Sequence, residues 1–66
     1  MKEKINFKSL IKEYRENKFL TQQELGEIIG VTFVTVNRWE NGVFEPSLKQ
    51  KKKLYQLFVQ AGLIQK

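Results

Sequence analysis

Cysteine and histidine are both missing from this 66-residue chain, and proline occurs once. Without cysteine there is neither a disulfide nor a thiolate metal site to staple the fold. Without histidine, zinc-finger ligation and most acid–base and nucleophilic catalysis lose their usual residues. Apolar runs are short as well. None approaches the roughly 18 residues of a membrane span, and no signal-peptide core follows the charged start. These absences argue against an enzyme, a metalloprotein and a membrane protein, and they imply no cofactor, metal or small-molecule site. A chain this short buries only about 60% of its unfolded surface. Its stability must therefore rest on packed apolar side chains, with help from a partner subunit. The lack of cysteine is compatible with a reducing cytosol, and a cytoplasmic protein is expected.

What is present is basic. Twelve lysines and arginines stand against seven acidic residues, a net charge of +5. Such an excess on a small body favours an anionic partner such as nucleic acid, although it also serves solubility.

The apolar pattern is helical throughout. Asn6 is a candidate N-cap for a helix over 7–17, in which Phe7, Leu10, Ile11 and Tyr14 recur at helical spacing. Thr21, followed three residues later by Glu24, has the capping-box arrangement and opens a short helix over 22–29. Leu25, Ile28 and Ile29 are expected on its inner face, and Gly30 suits its C-terminal stop. Thr32 caps a second short helix over 33–40, with Val36 and Trp39 spaced to pack inward, and Asn41-Gly42 ends it. The β-branched run from Thr32 to Val36 resembles a strand in composition, but its cap and its place between two helix signals argue against one. After the loop Val43-Phe44-Glu45-Pro46, Ser47 caps a last helix over 48–61, read from Leu54, Leu57, Phe58 and Ala61 and ended by Gly62.

The segment from Thr21 to Gly42 is the informative one. Gly26 lies inside a helix, where glycine costs about 1 kcal/mol against alanine. That cost is tolerated when another helix crosses so closely that a β-carbon would obstruct it. Small residue, turn glycine and inward apolar pair together describe two helices meeting steeply across a tight turn.

With those features in view, the stretch LTQQELGEIIGVTFVTVNRWENG, residues 20–42, resembles the phage-repressor and Cro-like (Xre-type) helix-turn-helix family of bacteria and their phages. Tyr14 and Arg15 before it, and Glu45-Pro46-Ser47-Leu48 after it, match the same layout, so the resemblance covers roughly residues 7–58. It implies an all-α, four- to five-helix bundle of the lambda-repressor-like DNA-binding type, forming one domain over 1–66. It also implies a transcriptional regulator, a repressor, that binds double-stranded DNA as a homodimer on a palindromic site.

The family's roles carry over residue by residue. Thr32, Phe33, Val34, Asn37 and Arg38 fall on the outward face of the recognition helix and would read bases in the major groove. Arg38 suits a guanine edge, and Phe33 or Val34 a thymine methyl. Gln22 and Asn41 match phosphate-contacting positions, and Lys49 and Lys52 in the lysine run add salt-sensitive attraction. Arg15 and Glu40 match a structural ion pair. Thr32 and Gln22 also have a plain capping role, and Phe33 and Val34 suit a protein interface equally well.

The chain departs from the family pattern in three places. Lys51 stands where an aliphatic residue is usual, so its stem is expected to pack while its ammonium reaches water. Val43 and Phe44, with Leu63 and Ile64, form a candidate dimer or partner patch. Only Leu63 to Lys66 remain after Gly62, so a fifth helix is expected to be missing or reduced to a turn. Two other functions fit the same residues: a DNA-targeting module of a larger restriction–modification or mobile-element system, and an antitoxin-like protein-interaction module.

Overall fold

Four local stop-and-start signals divide the chain into helices. The computed structural model describes residues 5–64 and has four helices among them: α1 (Phe7–Asn17), α2 (Gln22–Ile29), α3 (Phe33–Glu40) and α4 (Leu48–Gln60). Each begins at the side-chain cap its sequence predicts. Asn6 accepts from the Ser9 N–H, Thr21 from Glu24, Thr32 from Thr35 and Ser47 from Gln50. At α2 the Glu24 carboxylate accepts the Thr21 N–H in return, at 2.8 Å, completing the capping box. A second box at α4, between Ser47 and Gln50, uses the same reciprocal bonds. Each such cap stabilises its helix by about 1 kcal/mol, a large share for helices of two turns.

The terminations follow the same chemistry. Gly30 ends α2 with φ +98°, and Gly42 and Gly62 follow α3 and α4 with φ +74° and +78°. The last helix is one residue shorter than expected, because Ala61 serves as its C-cap. Residues 61–64 form turns and bends, so no fifth helix occurs among the described residues. Gln65 and Lys66, the end of the expected reduced turn, lie outside them.

Every helix contributes two side chains to one core: Ile11 and Tyr14, Leu25 and Ile29, Val36 and Trp39, Leu54 and Phe58. Phe58 sits at the centre, with its ring 5.9 Å from Phe7 and 6.0 Å from Tyr14. The indole N–H of Trp39 is buried and meets no acceptor among the described residues, so Trp39 contributes bulk rather than a hydrogen bond.

One expected core residue is not there. Ile28 is 50% exposed, while Gly26 is buried beside Leu25 and Ile29. The inner face of α2 is rotated towards its glycine, and at about 100° per residue that turns Ile28 outward. The cause is the approach at Gly26. A β-carbon there would lie 2.5 Å from the Val31 carbonyl oxygen and 3.3 Å from the Thr32 carbonyl carbon. The obstruction is thus the backbone of the returning turn, not a crossing helix. The Gly26 carbonyl accepts from both Gly30 and Val31, at 2.7 and 2.8 Å, which locks that turn. The result is the close α2–α3 pair on which the surface of α3 is carried.

Candidate nucleic-acid interface

The helix α3 is only eight residues long, so its two roles must be divided by angle. Val36 and Trp39 point into the core. At about 100° per residue the direction opposite them falls between Val34 and Asn41, flanked by Arg38, Asn37 and Phe33. All five of these residues are exposed, Phe33 by 54% and Val34 by 41%. The expected reading residues therefore lie together on one outward strip. Thr32 stands at its N-terminal end, where its hydroxyl is engaged in the cap and lies 3.4 Å from the Thr35 hydroxyl. The Arg38 side chain makes no hydrogen bond or ion pair with any described residue.

Behind the strip runs a polar network. The Arg15 guanidinium donates to both carboxylate oxygens of Glu40, from Nε at 2.7 Å and Nη2 at 3.1 Å. A third bond runs from Nη1 to the Leu20 carbonyl at 3.2 Å. The Glu40 side chain is 7% exposed, so this two-bonded pair is shielded from water on the carboxylate side. The hydrogen bond to Glu40 raises the Arg15 pKa above its ordinary value against the opposing effect of burial, and the charges of Glu40 and Glu16 add to the rise. The pair ties α1 to the end of α3.

The network continues from Glu40 through Gln22 and Asn37 to Asn41. Gln22, the first residue of α2, donates from Nε2 to Glu40 at 3.2 Å and accepts at Oε1 from Asn37 Nδ2 at 3.5 Å. Asn41 directs its own amide nitrogen at the Asn37 carbonyl, 2.9 Å away, and at Asn37 Oδ1, 3.1 Å away. Asn41 was expected to hold a phosphate. In this arrangement it has at most one N–H left for one. The Asn37–Asn41 contact was legible as an i, i+4 pair, but the Gln22–Glu40 contact joins residues 18 apart and carries no local signal.

The lysine run separates into different jobs. Lys53 donates to the Ile29 carbonyl at 3.1 Å and so closes the C-terminal end of α2. The Lys51 ammonium, expected to reach water, instead pairs with Glu45 at 3.0 Å and lies 5.4 Å from the centre of the Phe7 ring. Lys49 and Lys52 remain exposed. Lys49 borders the helix-joining turn beside Gly30 and Val31, whereas Lys52 faces Phe7 and Tyr55. The candidate partner patch is also divided. Val43 and Phe44 are exposed, with Phe44 beside Phe7, Trp39 and Pro46, while Leu63 and Ile64 are half-buried against the core. Among the described residues no three potential metal ligands cluster.

A capped helix, a glycine-locked turn and a second capped helix with an exposed polar strip make a defined unit, and a family model described as Helix-turn-helix matches residues 11–58. The chain belongs to the helix-turn-helix family. A curated relative, an uncharacterized HTH-type transcriptional regulator of Methanothermobacter thermautotrophicus, is 46% identical to this helix-turn-helix chain over 41 residues. The match takes in 62% of this chain and 59% of that relative, so this chain spans less than two thirds of its length. No solved structure matches significantly. Within the helix-turn-helix unit, α3 carries the exposed strip, on which Phe33, Val34 and Arg38 make no side-chain hydrogen bond with a described residue while Asn37 and Asn41 are bonded.

Proposed function

We propose that this helix-turn-helix protein binds double-stranded DNA sequence-specifically, with α3 in the major groove, and acts as a transcriptional repressor. The observation that carries the reading is the strip on α3. It sets an unpartnered arginine, an amide and two apolar side chains opposite the buried Val36 and Trp39. Arginine suits the paired acceptors of guanine, and Phe33 and Val34 suit thymine methyls. Gln22 at the first turn of α2 and the exposed Lys49 and Lys52 supply phosphate contacts that set register without reading sequence. The name of the Methanothermobacter relative supports a role in transcription.

Size supports a dimer. The longest dimension of the body is 33 Å, about one turn of duplex, so one copy covers a single half-site. Two copies on a palindrome give the contact area that tight specific binding needs. A regulator of this kind works in the cytoplasm, on the chromosome.

The test is selection from random duplexes at physiological salt, comparing the wild-type chain with Arg38→Ala. Two symmetric half-sites are expected, relaxed at one G·C position in the variant. Enrichment of no sequence would overturn the reading. The exposed apolar set of Phe33, Val34, Val43 and Phe44 supports a second reading, an antitoxin-like protein-interaction module. On that reading Arg38→Ala leaves DNA affinity unchanged.

A further inference from the structure

The polar network behind α3 has a direction that ordinary amide ambiguity cannot reverse. Asparagine and glutamine side chains present a donor on one side and an acceptor on the other, and which way each faces is set by its neighbours. Here both ends of the chain are groups that can only accept. At one end is the Glu40 carboxylate, already held by two bonds from Arg15. Gln22 must therefore meet it with Nε2, which leaves Oε1 facing Asn37. At the other end is the backbone carbonyl of Asn37, so Asn41 must meet it with Nδ2. The same nitrogen then faces Asn37 Oδ1. The two ends impose one and the same orientation on Asn37, with its nitrogen towards Gln22 and its oxygen towards Asn41.

Asn37 is exposed and lies within the outward strip of α3. One of its two N–H groups faces the Gln22 oxygen in a long, 3.5 Å contact, and one acceptor position of Oδ1 is taken by Asn41 at 3.1 Å. What remains is one donor on Nδ2 and one acceptor position on Oδ1, in a fixed order. In the major groove only adenine offers an acceptor and a donor on a single base, at N7 and N6. Guanine offers two acceptors, and an amide free to turn could swing its nitrogen towards both. An amide held from both sides keeps its oxygen beside the guanine O6, where two acceptors meet.

We propose that Asn37 reads adenine, and that Gln22 and Glu40 are positioning residues that hold its amide in the reading orientation. The proposal rests on the reading that α3 enters the major groove, and it adds the base class and the device that enforces it.

Selection from random duplexes with the full chain, followed by competition among the four base pairs at each selected position, tests it. The chains compared are wild type, Asn37→Ala, Gln22→Met and Arg38→Ala. In the wild type, an A·T pair is preferred by about tenfold or more at one position of each half-site. Asn37→Ala removes that preference and leaves the position sensitive to Arg38→Ala intact. Gln22→Met keeps the Arg15–Glu40 pair but cuts the link to Asn37, so the A·T preference falls at least threefold at the same position. Loss of a phosphate contact by Gln22→Met would weaken all four base pairs equally, so the ratio among them reports positioning alone. Thermal melting of each variant confirms folding, which an exposed helical Asn37→Ala substitution favours.

If Asn37→Ala relaxes a G·C position, or relaxes nothing while Arg38→Ala still does, the adenine assignment is overturned and DNA reading by α3 stands. If Gln22→Met leaves the A·T preference intact, the positioning role is overturned. If the wild type selects no sequence, both this inference and the reading beneath it fall.

Discussion

Phe19 adopts φ +57° and is 93% exposed at the turn between α1 and α2. The left-handed region costs a side-chain-bearing residue about 1–2 kcal/mol, and this ring recovers none of it through burial. Phe19→Gly is therefore expected to raise stability by about 1 kcal/mol, or roughly 4–8 °C in melting temperature. An unchanged or lower melting temperature would show that the ring stabilises the turn in some other way. Gly26 is the converse case. Alanine would gain about 1 kcal/mol of helix propensity but would strike the Val31 carbonyl, a backbone atom that cannot swing aside. Gly26→Ala is expected to cost a net 1–3 kcal/mol, roughly the overpacking range, measured by urea denaturation. A neutral result would mean that the turn relaxes more readily than its two locking hydrogen bonds suggest.

At the scale of elements, the helices and their caps were legible because cap chemistry acts within three residues. Asn6, Thr21, Thr32 and Ser47 all begin helices for the reason their sequence context supplies. The facing of α2 was less legible. Apolar spacing alone gives Leu25, Ile28 and Ile29 equal standing, and only the approach of the turn to Gly26 decides that Ile28 faces water. The outward strip of α3 was readable from Val36 and Trp39, whereas the relay from Glu40 through Gln22 depends on two helices meeting. The Arg15–Glu40 pair joins α1 to α3, and a double-mutant cycle with Arg15→Ala and Glu40→Ala is expected to give a coupling of about 1.5–3 kcal/mol. The raised Arg15 pKa means the arginine's share of that stability is complete below its unfolded pKa. It is lost only as pH rises through the folded value, at the alkaline extreme. The coupling should thus be the same at pH 6 and pH 8. A coupling that changes with pH in that window would point to a group other than Arg15.

For the whole molecule, the net charge of +5 is less informative than where its cations are spent. Lys53 closes α2 and Lys51 is paired with Glu45, while Lys49 beside the turn is exposed. Lys49→Ala is expected to leave the melting temperature unchanged and to lower the slope of log affinity against log salt by about 1. Lys53→Ala should instead cost about 1 kcal/mol of stability through the lost bond to Ile29, with the smaller effect on the slope. If Lys53→Ala changed the slope more than Lys49→Ala, the assignment of the two lysines would be reversed.

The division of α3 between core and surface also bears on how such a protein diverges. Val36 and Trp39 hold the helix in place, and Asn37 is bound to Gln22 and Asn41. Phe33, Val34 and Arg38 are exposed, and none donates or accepts a side-chain hydrogen bond within the described residues. Descendants can exchange these three without disturbing the fold, so on the proposed reading their targets drift at the positions these side chains would meet. Replacing Asn37 removes one side-chain partner from Gln22 and one from Asn41 at once, and replacing Glu40 removes the carboxylate that Arg15 holds. Duplicated copies should therefore part ways first at Phe33, Val34 and Arg38, and, if Asn37 reads a base as proposed, keep that base as the oldest shared letter of their binding sites.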